Sequence, residues 1–101
     1  MKRFFIALLG SLVTVAAWAH SPICSCTDNR NGTVTCEGGF TDGSKAAGTP
    51  MRVVDANDRV LLEGKMDADS RYTFRKPEGE YHVVFDAGKS HIVMIYGGDI
   101  D

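Results

Sequence analysis

The residues best suited to chemistry lie in one short stretch, Ala17-Trp18-Ala19-His20-Ser21-Pro22-Ile23-Cys24-Ser25-Cys26. A histidine at a chain terminus offers a metal ion both its imidazole and the free α-amine. The thiolates of Cys24 and Cys26 are soft ligands that suit Cu(I) or Zn²⁺. This stretch predicts a set of metal ligands near the start of the mature protein, provided that His20 becomes its first residue.

The N-terminal residues have the layout of a signal peptide. Lys2 and Arg3 precede an apolar run that ends near Ala17, and Ala17-x-Ala19 matches the A-x-A cleavage pattern. The run is short, and wrongly flanked, for a membrane span. We therefore expect residues 1–19 to be removed and the protein to be periplasmic or secreted. The alternative is an uncleaved N-terminal anchor.

Composition limits the classes of partner. The chain of 101 residues has 11 basic and 13 acidic residues, and loss of Lys2 and Arg3 would make it more acidic. A mildly acidic surface argues against nucleic acid or anionic lipid as a partner. No serine, histidine and acid form a recognisable catalytic motif, and no glycine-rich phosphate loop occurs. We expect a small non-enzymatic domain.

An odd number of cysteines leaves several pairings open. The chain has three, and Cys36 shares the apolar side of its predicted strand with Val34. A disulfide from Cys36 to Cys24 or Cys26 would stabilise a small exported domain by roughly 2–4 kcal/mol and leave one free thiol. The alternatives are a metal held by the three thiols or a disulfide between two chains.

Two further histidines differ in their prospects. His91 shares a predicted strand face with Val93 and Ile95, where it is either a metal ligand or a packed, hydrogen-bonded residue. His82 lies opposite the apolar face of its strand, and we interpret it as a surface histidine.

Alternating apolar and polar residues, interrupted by turn residues, predict an all-β fold. Strands are expected at 33–41, 51–55, 59–64, 71–75, 80–86 and 90–96, with a bulge at Gly38-Gly39. Cys24 to Gly32 has the composition of a loop. These patterns predict one small antiparallel β-sandwich, immunoglobulin-like or prealbumin-like, over 33–101, preceded by a cysteine-containing segment at 20–32.

Two motifs resemble those of known sandwiches. Residues 66–74, MDADSRYTF, resemble the T-D-x-x-G-x-[YF]-x-F hairpin of carboxypeptidase-regulatory-like and Cna-B-like domains. Pro77-x-Gly79-x-Tyr81-x-Val83 resembles the P-x-G-x-Y-x-V that follows it in those families. Ser70 stands where glycine is usual, and Met66 replaces a threonine.

A narrower resemblance covers 39–95, which look like the small periplasmic component of nickel/cobalt uptake transporters. Mature chains of that family often begin with histidine after an Ala-His junction. Their D-x-G-x-x-H ending is matched here by Asp86, Gly88 and His91. The departure lies in the three cysteines, which that family's pattern lacks and which suit Cu(I) or Zn²⁺ better than nickel.

The sequence therefore predicts an exported transition-metal-binding protein, an accessory to metal transport or handling. Copper, nickel or cobalt is the expected ion, and a membrane metal transporter is the expected partner. The predicted ligands are His20, Cys24, Cys26 and His91. The rival is a structural or interaction sandwich in which a disulfide is only a staple. A thiol redox protein is the weakest alternative, since C-x-C is not the usual C-x-x-C.

Overall fold

The computed structural model describes residues 21–101, which form seven β-strands and one short 3₁₀ turn. The polypeptide alternates strands with tight connections and ends at the turn Gly97–Asp99. The strands are β1 Pro22–Asp28, β2 Thr33–Phe40, β3 Pro50–Asp55, β4 Val60–Lys65, β5 Arg71–Arg75, β6 Tyr81–Asp86 and β7 Ile92–Tyr96.

The strands form two antiparallel sheets, which confirms the all-β sandwich. One sheet has the order β1-β2-β5 and the other the order β4-β3-β6-β7. In the constant-type immunoglobulin arrangement the fourth strand pairs with the fifth, whereas here β4 pairs with β3 in the second sheet. Strand β1 also lies against β7, so the two sheets approach each other along that side. Residues 21–101 contain no helix long and apolar enough to cross a membrane.

The core lies between the sheets and follows the two-residue period of the strands. Side chains at alternate positions point inward, as predicted for Val34 and Cys36 on β2 and for the apolar face of β6. The fully buried side chains are Val34, Cys36, Met51, Val53, Val83 and Phe85. Phe74 packs edge-on against Tyr81, with ring centroids 6.1 Å apart. Burial of these side chains is the main source of stability.

The first strand was not predicted, because its residues are typical of loops. Residues 22–28, PICSCTD, pair along their whole length with β2 and belong to the sandwich. Their burial alternates, so Cys24 and Cys26 face inward while Ser25 and Thr27 are exposed. Pairing with a neighbouring strand overrides weak local propensity, which is common in sheets. The predicted turn at Asn31-Gly32 is present, and Gly32 has a φ of 92°.

Two other predictions about strand geometry are wrong. Gly38 and Gly39 do not form a bulge, because β1 and β2 pair in continuous register through both. The irregularity lies instead between Val53 and Val54, where β3 meets β4. The last strand begins at Ile92 rather than Ser90, so His91 lies in the preceding turn.

Aspartates close several of the turns by accepting backbone N–H groups two or four residues ahead. Asp55 Oδ1 accepts from Asn57 at 2.8 Å and from Arg59 at 2.9 Å. Asp86 Oδ1 accepts from Gly88 at 3.0 Å, and its Oδ2 accepts from Arg52 Nη1 at 3.0 Å. These aspartates therefore hold the turns in place.

These bonds make folding stability depend on pH. The Arg59 and Asn57 backbone N–H groups lower the pKa of Asp55, and the bond from Arg52, followed by that from Gly88, lowers the pKa of Asp86. A pKa lower in the folded state gives stability that is present above about pH 4 and lost as pH falls through the folded value. We predict a lower free energy of unfolding at pH 3 than at pH 7, measured by urea titration. Asp55→Asn should shrink that difference; an unchanged difference would contradict the prediction.

Ser70 occupies the glycine position of the predicted hairpin motif and keeps a glycine-like backbone. Its φ is 62°, and its buried hydroxyl accepts the Ala46 N–H at 2.8 Å. The left-handed backbone of Ser70 is strained, but its hydroxyl makes a hydrogen bond that a glycine could not make. This bond links the β2–β3 connection to the hairpin.

Two substitutions at Ser70 separate these effects. Ser70→Ala keeps the left-handed backbone but leaves the Ala46 N–H without its acceptor, which should cost about 1–3 kcal/mol. Ser70→Gly loses the same bond but recovers about 1 kcal/mol of strain. Urea unfolding should therefore rank the alanine variant below the glycine variant. Equal stability of Ser70→Ala and the wild type would refute the role of the hydroxyl.

Candidate metal and thiol site

The three cysteines meet on the inner side of the β1–β2 pair. Cys24 and Cys26 are two residues apart on β1, so their side chains point to the same face. In the antiparallel register Cys26 lies directly opposite Cys36, and Cys24 lies opposite Gly38. Cys36 is fully buried, while Cys24 and Cys26 are half-buried and pack against the core. Side-chain period and strand register thus bring all three sulfur atoms together.

Cys26 and Cys36 form a disulfide, which confirms the predicted staple and identifies the partner of Cys36. The sulfur atoms are 1.99 Å apart and the Cα atoms 3.9 Å apart. The bond joins neighbouring strands, not a loose tail to the sandwich. From the length of chain it encloses, the loop-entropy model gives about 2–3 kcal/mol of stabilisation.

Cys24 is the free thiol among residues 21–101. Burial against the core raises its pKa to about 11, since a thiolate loses hydration there. At neutral pH the group is therefore almost entirely a protonated thiol. A thiol in this state is a weak nucleophile and must lose its proton before it can bind a metal.

The sulfur atoms form a convergent cluster. Those of Cys24, Cys26 and Cys36 all lie within 4.8 Å of one another, and no other group of three potential metal ligands converges in this way in residues 21–101. Two of the three are committed to the disulfide, so the cluster offers one thiol in this state. Reduction would turn the same three positions into a three-thiol set.

Gly38 provides room beneath the cluster. A Cβ placed on it would lie 2.6 Å from the Phe85 ring and 2.8 Å from Met66 Sδ. The absence of a side chain lets these two core residues approach the β2 backbone opposite Cys24. The sequence predicted only that Gly38 would be part of a bulge. Its packing role depends on Phe85 and Met66, which are distant in the chain.

His91 is not part of the sulfur cluster. It lies in the turn before β7, where its backbone N–H donates to Gly88 O at 2.8 Å and its Nδ1 is 3.0 Å from Lys89 O. The turn thus holds its ring. The prediction that His91 shares a strand face with Val93 and Ile95 is wrong, because the strand begins after it.

The other two histidines have separate places. His82 is half-buried on the outer face of the second sheet, beside the ring of Tyr96 at 5.6 Å, so it is less exposed than predicted. His20 lies outside the described residues. Its neighbour Ser21 is held by two bonds to Thr41, each 2.9 Å long.

The end of the sandwich that carries Ser21 also carries the His91 turn. Phe40, next to Thr41, lines a shallow cavity together with residues 86–88, and His91 bonds back to Gly88. Ser21 and the turn that holds His91 therefore lie at the same end of residues 21–101.

Comparison with protein-family models, with curated proteins and with solved structures gives no match. The resemblance to the nickel/cobalt transporter component therefore stays a prediction from the motifs.

The high pKa of Cys24 predicts a distinctive labelling profile. Alkylation of the folded protein by iodoacetamide should accelerate about tenfold per pH unit up to about pH 11, because only the thiolate reacts. In denaturant the rate at pH 7 should rise by roughly a hundredfold or more, as the pKa returns to its ordinary value. Cys24→Ser should abolish labelling under non-reducing conditions. A plateau near pH 8.5 in the folded protein would contradict this environment.

Proposed function

We propose that this protein is an exported transition-metal-binding domain that serves metal transport or handling. Its metal site is the sulfur cluster of Cys24, Cys26 and Cys36 in the reduced state, and the disulfide form is the metal-free state. The observation that carries the proposal is the convergence of three sulfur atoms within 4.8 Å. The signal-like N-terminus and the transporter-component motifs support the same reading.

The spacing of the cluster suits a single ion. At a metal–sulfur distance of about 2.3 Å, three ligands around one ion have their sulfur atoms about 4 Å apart. Cys24 already lies within range of the other two sulfur atoms. Cys26 and Cys36 must separate from 1.99 Å, which rotation of their side chains provides once the bond is broken.

Loading requires reduction by a dithiol donor. One donor thiolate attacks a sulfur of the Cys26–Cys36 bond, and the second donor thiol resolves the mixed disulfide. The donor becomes a disulfide, and Cys26 and Cys36 become thiols after taking up two protons. Metal binding then releases protons from the cluster. In the reverse exchange a donor disulfide accepts two electrons from the Cys26 and Cys36 thiolates and becomes a dithiol, which re-forms the Cys26–Cys36 bond and releases the ion.

The donor atoms favour copper among the predicted ions. Three soft sulfur ligands in a half-buried site select Cu(I) over nickel or cobalt. Because Cys24 has a pKa of about 11 without metal, proton loss from it opposes binding at neutral pH. Affinity should therefore increase with pH throughout the neutral and mildly alkaline range.

A copper titration tests the proposal. Reduced and disulfide forms of the mature protein are titrated with Cu(I) under nitrogen against a chromogenic Cu(I) chelator. The reduced form should bind one equivalent, at least about a hundredfold more tightly than the disulfide form, because three ligands replace one. Equal binding by the two forms would refute the cluster as the site.

Variants locate the ligands. Cys24→Ala leaves the disulfide intact and should weaken Cu(I) binding by the reduced protein at least tenfold, and Cys36→Ala should do the same. Ser25→Ala is the matched control, since its side chain lies on the exposed face between the two β1 cysteines. Wild-type affinity in Cys24→Ala would contradict a three-sulfur site.

The two histidines are tested separately. One additional residue before His20 moves the α-amine away from the imidazole, and His91→Ala removes the other predicted ligand. Nickel and copper titrations of these variants in the disulfide form isolate the nitrogen ligands. If both match the unmodified protein, the metal site is confined to the cysteines.

The second candidate is a non-catalytic structural or interaction module stapled by its disulfide. It is favoured by the disulfide itself and by the apolar outer face of the second sheet, where Ile92, Met94 and Tyr96 are about half exposed. Failure of both redox forms to bind copper, nickel or cobalt would favour this candidate over the metal-binding one.

A further inference from the structure

An open cavity of about 760 Å³ lies at the end of the sandwich opposite the His91 turn. Its wall consists of the turn after β3, the connection between β5 and β6, the first residues of β6 and the end of β7. We propose that this cavity binds an extended organic cation of the guanidinium or alkylammonium class. The site is independent of the sulfur cluster, since no cysteine lines it.

The charges around the cavity favour a cation. Four carboxylates line it against one ammonium group, that of Lys76; the carboxylates belong to Asp55, Asp58, Glu78 and Glu80. Lys76 Nζ donates to Asp28 Oδ2 at 2.9 Å, so its charge is already balanced. A concave surface with an excess of one sign focuses the electrostatic potential and attracts the opposite charge.

Aromatic rings form part of the same wall. Tyr96 is 57% exposed, and its ring packs at a tilt against His82 with centroids 5.6 Å apart. A guanidinium or ammonium group is attracted to the face of such a ring, and exposed pairs of this kind are modest but real contacts. Carboxylates beside an exposed tyrosine therefore suit a cation that also carries apolar carbon.

Tyr81 supplies an independent observation. It lines the cavity with 8% of its surface exposed, and its buried hydroxyl has no hydrogen-bond partner in residues 21–101. The backbone of Gly97 covers its ring so closely that an added Cβ would lie 2.6 Å from it. An unpaired buried hydroxyl is costly and uncommon, and a ligand N–H that displaces the Gly97 backbone from the ring would satisfy it.

The spread of the carboxylates argues for an extended cation over a metal ion. Within residues 21–101 only the cysteines bring three potential metal ligands together, so the cavity's acidic groups do not converge on one point. Separated acceptors suit a planar or elongated group with several N–H donors.

The test uses n-butylguanidinium and its neutral analogue N-butylurea, each titrated into the ¹⁵N-labelled protein in the disulfide form. The cation should shift amide signals of residues 55–58, 78–82 and 96–98, and added salt should weaken binding. N-butylurea should leave these signals in place. Shifts that are equal for the two compounds, or absent at millimolar concentrations of the cation, would overturn the proposal.

A second titration, with peptides, distinguishes a free organic cation from a basic side chain on a polypeptide. The tripeptide Gly-Arg-Gly is compared with Gly-Gln-Gly in the same titration. If butylguanidinium and the arginine peptide bind equally, the group alone is the ligand. If the arginine peptide binds at least about tenfold more tightly, the cavity recognises a basic side chain on a polypeptide. Both results support a cation site. Binding of Gly-Gln-Gly with the same affinity as Gly-Arg-Gly would oppose it.

Variants connect binding to the residues argued above. Glu80→Gln and Tyr96→Leu should each weaken binding about fivefold, whereas Glu63→Gln, on β4 away from the cavity, should have no effect. Tyr81→Phe should weaken binding about threefold without lowering the melting temperature of the free protein, because it removes an unpaired hydroxyl. Tyr72→Phe is its control. If Glu80→Gln binds as Glu63→Gln does, the cavity is not the site.

Discussion

The antiparallel register of β1 on β2 is the constraint on which the candidate site depends. It sets Cys26 directly against Cys36 and Cys24 against Gly38, with all three sulfur atoms on the inner side. A shift of one residue would turn the β1 cysteines toward solvent and away from Cys36, since side chains alternate between faces. The disulfide in turn holds this register, so strand pairing and sulfur chemistry reinforce each other.

Burial of the cluster is both an advantage and a cost for the proposed function. The core beneath it, with Phe85 and Met66 close to Gly38, excludes water and favours soft sulfur coordination. The same environment keeps the Cys24 thiol protonated at neutral pH. If the proposed function holds, a metal displaces a tightly held proton from Cys24, and a dithiol donor opens the disulfide first. In the proposed function, the need to open the disulfide restricts loading to encounters with a dithiol reductant.

The two ends of the sandwich differ in chemistry because different connecting turns lie at each end. One end carries Ser21 and the turn that holds His91 through Gly88. The other carries the acidic cavity with its aromatic wall and the unpaired hydroxyl of Tyr81. The sulfur cluster lies between, on the inner face of the first sheet. One small domain thus carries the sulfur cluster proposed to bind a soft metal and, at a distance from it, the cavity proposed to bind an organic cation.

The sequence by itself determined the elements whose side chains alternate clearly. Strands β2 to β7 and the buried place of Cys36 followed from the apolar patterns and the turn residues between them, because one face of each strand must leave water. A disulfide to Cys36 was one of the pairings that the three cysteines and the expected export left open. Cys24 and Cys26 have the same parity on their strand, and only strand pairing chose between them.

Tertiary structure decided the rest. Strand β1 is polar enough to resemble a loop, and only its pairing with β2 makes it a strand. The irregularity in register lies between Val53 and Val54 rather than at Gly38-Gly39, and Gly38 instead lets Phe85 and Met66 pack closely against β2. The cavity around Tyr81 is assembled from three turns that are distant in sequence, and local patterns carry no information about which turns meet in space.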